Sequence, residues 1–197
     1  MDTLKAEKRT MDVKAKKLRR EGYVIGNMFG KKIEGSIPVQ MHKKDVDAIL
    51  KTSGRGSQIM LDVDGQVYDV LIKDIAYNPL AGRIDDIDFQ ALVSNEKVNS
   101  VAEVVPVDHE KIAEGVLQVE MGEIYYRALP ADLVDKIRID VGRMKIGDVI
   151  CVKDLEIASN PKIELLADPE APVVSVTAIR NAPVPENETE EGEAAEE

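Results

Sequence analysis

The sequence predicts a mainly β fold with short helices, of the α+β class, in which a small N-terminal β-barrel precedes a second β-rich domain and an acidic tail. Three observations predict it. Segments of strand length with alternating apolar residues recur along the chain, only KKDVDAIL and PADLVDK carry helical spacing, and Gly, Pro and Asp turns separate the segments. Charge divides the chain as well: residues 1–95 hold sixteen Lys plus Arg against fourteen Asp plus Glu, and the rest holds ten against twenty-three.

The most basic stretch comes first. In KAEKRTMDVKAKKLRR, Lys5, Lys8, Arg9, Lys14, Lys16, Lys17, Arg19 and Arg20 are opposed only by Glu7 and Asp12. Fields are screened over about 8–10 Å at physiological salt, so the acidic half does not cancel this one. Clustered cations neutralise phosphates and release counterions, which makes nucleic acid the leading partner. A solvated basic face is the alternative. The spacing within residues 2–20 suits an edge strand followed by an exposed loop or short turn.

Gly22, Gly26 and Gly30 follow in REGYVIGNMFGKK and allow bends and close backbone approach. They do not make a phosphate-binding loop, because no Gly-Lys-Ser/Thr ending is present. Ile33, Ile37, Val39 and Met41 alternate as in a half-buried strand, and Val46, Ile49 and Leu50 follow helical spacing up to Gly54 and Gly56. QIMLDV, Asp64-Gly65 and QVYDVLIKDI read as a hairpin, since Asp-Gly accepts the positive φ of a tight turn. Pro79 to Gly82 turns the chain into RIDDIDFQAL, with Ile87 and Phe89 on one face and Asp86 and Asp88 on the other. Several short strands with one helix point to a closed or nearly closed barrel over residues 1–93.

Residues 94–100, SNEKVNS, are polar and read as a linker. Over residues 101–181, VAEVVPV, GVLQVEM, EIYYRAL, KIRIDV, DVICV and VVSVTAI read as strands. Residues 182–197 contain no Lys or Arg and few large apolar groups, so a disordered acidic tail is expected. Cys151 is the only cysteine, which excludes an intramolecular disulfide, and it reads as a small core residue. No apolar run approaches the roughly 20 residues that span a bilayer. The start MDTLKAEKR lacks a signal-type apolar region, and a cytoplasmic location is expected.

In several segments the chain resembles a known family. AEKR, LRREGYVIGNMFG, VLIKDIAYNP and RIDDIDF in the first half, with GVLQVEMG, ALPADLVDKIRIDV, MKIGDVICVKDL and PVVSVTAI in the second, resemble the bacterial large-subunit ribosomal protein numbered twenty-five. The likeness is to its long two-domain form, which includes general stress protein Ctc. It implies a six-stranded-barrel-like domain that binds 5S ribosomal RNA, a C-terminal β domain, the large ribosomal subunit as partner, and no catalysis, cofactor, membrane or small-molecule substrate. The residues it implicates in RNA binding are Arg9, Lys14, Arg20 and Asp88, with Lys16, Lys17 and Arg19 adding charge.

Three positions depart from the family pattern. Phe29 stands where tyrosine is usual and keeps a stacking ring without the hydroxyl; Ala76 replaces a glutamine; Asp86 replaces a histidine. A unit charge about 7 Å from a phosphate costs about 0.6 kcal/mol in water and about 2 kcal/mol at an effective dielectric of 20. Asp86 therefore opposes a polyanion on the face where it docks, unless Mg²⁺ bridges Asp86 and Asp88 to phosphate oxygens. Two readings stand: a working 5S-binding ribosomal protein, or a diverged stress paralogue that keeps the scaffold and has lost specific RNA binding. A metal-dependent hydrolase built on Asp85, Asp86 and Asp88 is disfavoured, because strict alternation places Asp85 on the opposite face. His42 and His109 read as surface residues, and Tyr68 as core.

Overall fold

The computed structural model describes residues 2–31, 33–112 and 115–178. The tail at 182–197 lies outside the described residues. The first unit is a closed barrel of six strands in the order β1-β3-β2-β6-β5-β4. Its strands are β1 (Thr3–Lys8), β2 (Tyr23–Phe29), β3 (Ser36–His42), β4 (Gln58–Val63), β5 (Gln66–Asn78) and β6 (Arg83–Ala91). Helix α1 (Ala15–Arg20) lies between β1 and β2, and α2 (Lys43–Ile49) follows β3. Alternation along each strand sends Leu4, Met28, Met41, Leu61, Ile72 and Phe89 inward, where they are essentially inaccessible.

Two expectations for the N-terminus are corrected. β1 is not an edge strand: it pairs in parallel with β4, from Thr3 opposite Met60 to Ala6 opposite Val63, and antiparallel with β3. Leu4 and Ala6 are buried as a result. The stretch after it is not all loop either, since α1 packs against β2 and buries Leu18. Apart from Ala15 its other side chains are charged, so the six-residue helix is too short and too basic to show a clear periodic stripe.

The predicted hairpin forms with Val63 opposite Gln66 around Asp64-Gly65. The helix predicted from Val46, Ile49 and Leu50 ends at Ile49, before either glycine; Thr52 Oγ1 donates to the Ile49 carbonyl at 3.0 Å. Gly26 lets β6 come close, since a Cβ there would sit 2.2 Å from the Ile87 carbonyl oxygen.

The second unit has two sheets around one core. One has the order β10-β7-β9-β12 and the other β11-β13-β8. These strands are β7 (Val98–Val107), β8 (Val116–Val119), β9 (Glu123–Ala128), β10 (Lys136–Asp140), β11 (Val149–Cys151), β12 (Glu164–Leu165) and β13 (Pro172–Thr177). Ile124, Tyr126, Val141, Val152 and Val173 form its centre. The Tyr126 hydroxyl donates to the Val134 carbonyl at 2.9 Å and accepts the Val134 N–H at 2.8 Å, so the ring is buried without an orphaned oxygen. PADLVDK gives only a single 3₁₀ turn, Pro130–Asp132. Cys151 is half-buried at the edge of the core, and its N–H donates to Asp154 Oδ2 at 3.0 Å.

β7 begins at Val98, inside the stretch expected to be linker, because Val98 and Ser100 alternate inward and are buried. The two units touch there. Lys73 Nζ donates to the Asn99 carbonyl at 2.8 Å, Ser100 Oγ to the Gly56 carbonyl at 3.3 Å, and Arg55 Nη1 to Glu123 Oε2 at 3.1 Å. Leu71 points outward from the barrel yet is buried, as is Val101 opposite it at this junction. Burial and the nearby Arg55 charge lower the pKa of Lys73.

Candidate nucleic-acid interface

The outer face of β3, β2, β6 and β5 carries the residues singled out in the sequence. Strand register sets them in lateral rows: Gln40, Ile25, Asp86 and Ala76; then Pro38, Asn27, Asp88 and Asp74; then Ser36, Phe29, Gln90 and Leu71. Ile25 faces outward but is only 7% exposed, because α1 covers this part of β2. Helix α1 thus stands beside the acidic row, and its cations flank it.

The basic residues fall into two groups. Lys14, Lys16 and Arg20 are exposed and make no ion pair among the described residues, while Lys17 has a long exposed contact of 3.8 Å to Glu21. Arg9 and Arg19 are half-buried and held in place. Arg9 donates its N–H to the Pro38 carbonyl at 2.9 Å and its Nη2 to the Val13 carbonyl at 3.1 Å. Its Nε is sealed from solvent without a hydrogen-bond partner among the described residues. Arg19 Nε donates to the Asp85 carbonyl at 3.0 Å.

The acidic side is also resolved. Asp86 and Asp88 lie side by side on the outer face, as alternation requires. Burial pushes the Asp86 carboxyl above the usual aspartate range and Asp88 adds to the shift; the Ile87 N–H, donating to Asp86 Oδ1 at 3.1 Å, and the charges of Arg19 and Arg9 oppose it. Ala76 sits directly across from Asp86 and Asp74 across from Asp88, so no amide from β5 tempers the pair.

Asp85 departs from strict alternation. Ile84 and Ile87 both pack on the barrel core, and Asp85 is skipped in the pairing with β5, so a β-bulge keeps Asp85 off the interior. Its carboxylate accepts from Arg83 Nε at 2.8 Å and Asn78 Nδ2 at 3.2 Å. These bonds from Asn78 and Arg83, with the charges of Arg83 and Arg19, hold its pKa down. Among the described residues no group of three or more His, Cys, Asp or Glu side chains is gathered as a metal site, so Asp85, Asp86 and Asp88 do not converge on one.

Phe29 is half-exposed between Ser36 and Gln90. Asn27 and Gln90 share this face, beside Asp88 and Phe29, and are the polar residues that sequence reasoning passed over; their alternation with the buried Met28 and Phe89 was the available signal. Tyr77 is 61% exposed at the far end of β5. Tyr68 packs against the barrel core, as expected, and His42 is exposed beside Tyr23, with ring centroids 4.5 Å apart.

The comparisons with known proteins cover both units. The model of the ribosomal L25p family matches residues 4–89, and that of the ribosomal protein TL5 C-terminal domain matches residues 97–180. The chain belongs to the ribosomal L25p family. Similar members include the large ribosomal subunit protein bL25 of Carboxydothermus hydrogenoformans, 32% identical over 93% of this chain and 95% of that one. The bL25 of Caldanaerobacter subterraneus subsp. tengcongensis is 32% identical over 99% and 98%, and that of Bacillus pumilus 31% identical over 97% and 92%. The L25p family is a structural component of the ribosome, so this member is not an enzyme. Among its described residues no helix is long and apolar enough to cross a membrane.

Proposed function

We propose that this L25p-family chain works in the large ribosomal subunit by binding 5S rRNA on the outer face of its barrel, in the cytoplasm where bacterial ribosomes operate. One observation carries the reading: Lys14, Lys16 and Arg20 stand exposed, without carboxylate partners among the described residues, beside a strand face that offers Phe29, Asn27 and Gln90. Unpaired cations supply affinity for phosphates, and a ring with amides beside it supplies contacts to unstacked bases. Arg9, Lys17 and Asp88 complete the proposed contact set. The names of the related proteins, each a large ribosomal subunit protein, support the large-subunit part of this reading.

The placement of Asp86 opposite Ala76, with Asp88 opposite Asp74, favours a second reading in which the face has become too acidic for tight selective binding. Titration with 5S RNA and with an unrelated structured RNA of equal length, each at several salt concentrations, separates the two. The first reading expects nanomolar binding selective for 5S RNA; weak and equal binding to both RNAs overturns it and supports a scaffold with another task.

A further inference from the structure

We infer that Arg19 does not neutralise RNA but acts, through Asp85, as the strut that holds the free cations of α1 against the β5–β6 hairpin. Arg19 projects from α1, whose own fold is slight: six residues, no side-chain N-cap bond and one buried apolar residue, Leu18. Isolated helices of this length do not persist in water. Something outside the helix must fix it, and two contacts do so. Leu18 packs on β2, and Arg19 Nε meets Asp85 twice, donating to its carbonyl at 3.0 Å and lying 3.6 Å from Oδ1.

Asp85 is suited to this task. The bulge frees it from pairing with β5 and turns it toward the helix. Its carboxylate is anchored from the hairpin side by Arg83 and by Asn78, and Asn78 in turn uses Oδ1 to accept the Ala81 N–H at 3.1 Å in the hairpin turn. Arg19, Asp85, Arg83 and Asn78 therefore form one network from α1 to the hairpin tip. Both the Arg19 and Asp85 side chains are 24% exposed, so a phosphate reaching Arg19 would compete with a partner already in place. The exposed Lys16 and Arg20 on the same helix have no such partner among the described residues.

This inference rests on the RNA-binding reading for its consequence but not for its geometry, and the experiment reads the two apart. In full-length protein without RNA, Asp85→Ala and Arg19→Ala should each raise hydrogen exchange at the α1 amides at least about tenfold, while the amides of β2 and β6 keep their protection. The milder Asp85→Asn, which removes the charge but keeps a side-chain oxygen able to accept from Arg83, should give a smaller rise and guards against a variant that fails to fold. Unchanged α1 exchange in all three variants overturns the strut whether or not the protein binds RNA.

With 5S RNA, Arg19→Ala and Asp85→Ala should each weaken binding about fivefold, and the double variant no more than either single one, as members of one unit do. The slope of log affinity against log salt should stay at its original value in both, whereas Lys16→Ala should lower it by about one. A slope reduced by Arg19→Ala and untouched by Asp85→Ala would make Arg19 a phosphate ligand and overturn the inference. Absence of RNA binding by the unaltered protein would sink the functional reading alone, and the exchange data would still decide the strut.

Discussion

The two units pair their lysines differently, although Arg138, Arg143 and Lys145 of the second also make no ion pair among the described residues. In the second, Lys111, Lys153 and Lys162 lie 2.7, 2.9 and 3.0 Å from Asp108, Glu170 and Asp132, and Lys97 and Lys136 have longer contacts to Glu164 and Glu103. In the barrel, Lys14, Lys16 and Arg20 on or beside α1 have no carboxylate partner among the described residues. Formal charge in each half conceals this contrast, because a paired lysine has little field left to offer and a bare one attracts any polyanion. Available charge, rather than total charge, marks the surface that faces outward.

The largest way to disturb the comparison is to disturb the joint between the units. Gly56 has φ +85°, and a Cβ there would lie 1.9 Å from the Val101 carbonyl oxygen. Gly56→Val should lower stability by about 3 kcal/mol, measured by urea unfolding, and should expose Leu71 and Val101 to exchange before either core opens. Loss of stability with no early exchange at those residues would show that the barrel itself had been damaged.

Next comes the contrast itself. Replacing Lys14, Lys16 and Arg20 together by alanine should weaken 5S RNA binding about thirtyfold, roughly 2 kcal/mol, and reduce the salt slope by about 2 to 3. The matching triple change at Lys111, Lys153 and Lys162 should leave affinity and slope within experimental error. Equal effects from the two triples would erase the distinction between bare and paired cations.

Asp86→His should tighten RNA binding about tenfold, roughly 1.4 kcal/mol, because it removes a carboxylate from the docking face. The same residue predicts a pH effect with a definite sign. Asp86 has a raised pKa in the folded chain, so the fold binds this proton more tightly than the unfolded chain does. Its favourable share is present at low pH and declines as pH rises through the ordinary aspartate range to the raised value. RNA binding should likewise strengthen on acidification into that window, and Asp86→Asn should remove both trends.

The smallest effect belongs to an exposed pair of the second unit. Lys162→Ala, which breaks the 3.0 Å contact to Asp132, should change stability by no more than about 0.5 kcal/mol in thermal or urea unfolding. A much larger loss would mean that this unit depends on its ion pairs rather than on its core.

Where the sequence was readable, one strong periodicity ruled. Alternation in QIMLDV, QVYDVLIKDI and RIDDIDF placed β4 to β6 and the inward direction of Ile87 and Phe89, and Asp64-Gly65 fixed their hairpin. Helix α1 was illegible because its stability comes from Leu18 and Arg19 touching other elements, which leaves no periodic mark. β1 read as an edge because its lysines face outward, while its second partner, β4, lies some fifty residues away. The bulge at Asp85 was hidden for a similar reason: only the β5 register reveals that one residue has been skipped. Asp86, Asp88 and Phe29 fell on the face the alternation implied, whereas the division of arginines from lysines into held and free groups required the folded contacts.

Closure of the barrel by β1 has a consequence for biosynthesis. β1 must wait for residues 60–63 before its parallel partner exists, and loops of that length close slowly. In the closed barrel β1 covers one edge each of β3 and β4. A truncation or a stiff fusion that keeps the opening residues out of place would leave both edges exposed and turn a soluble nascent chain into one prone to self-association.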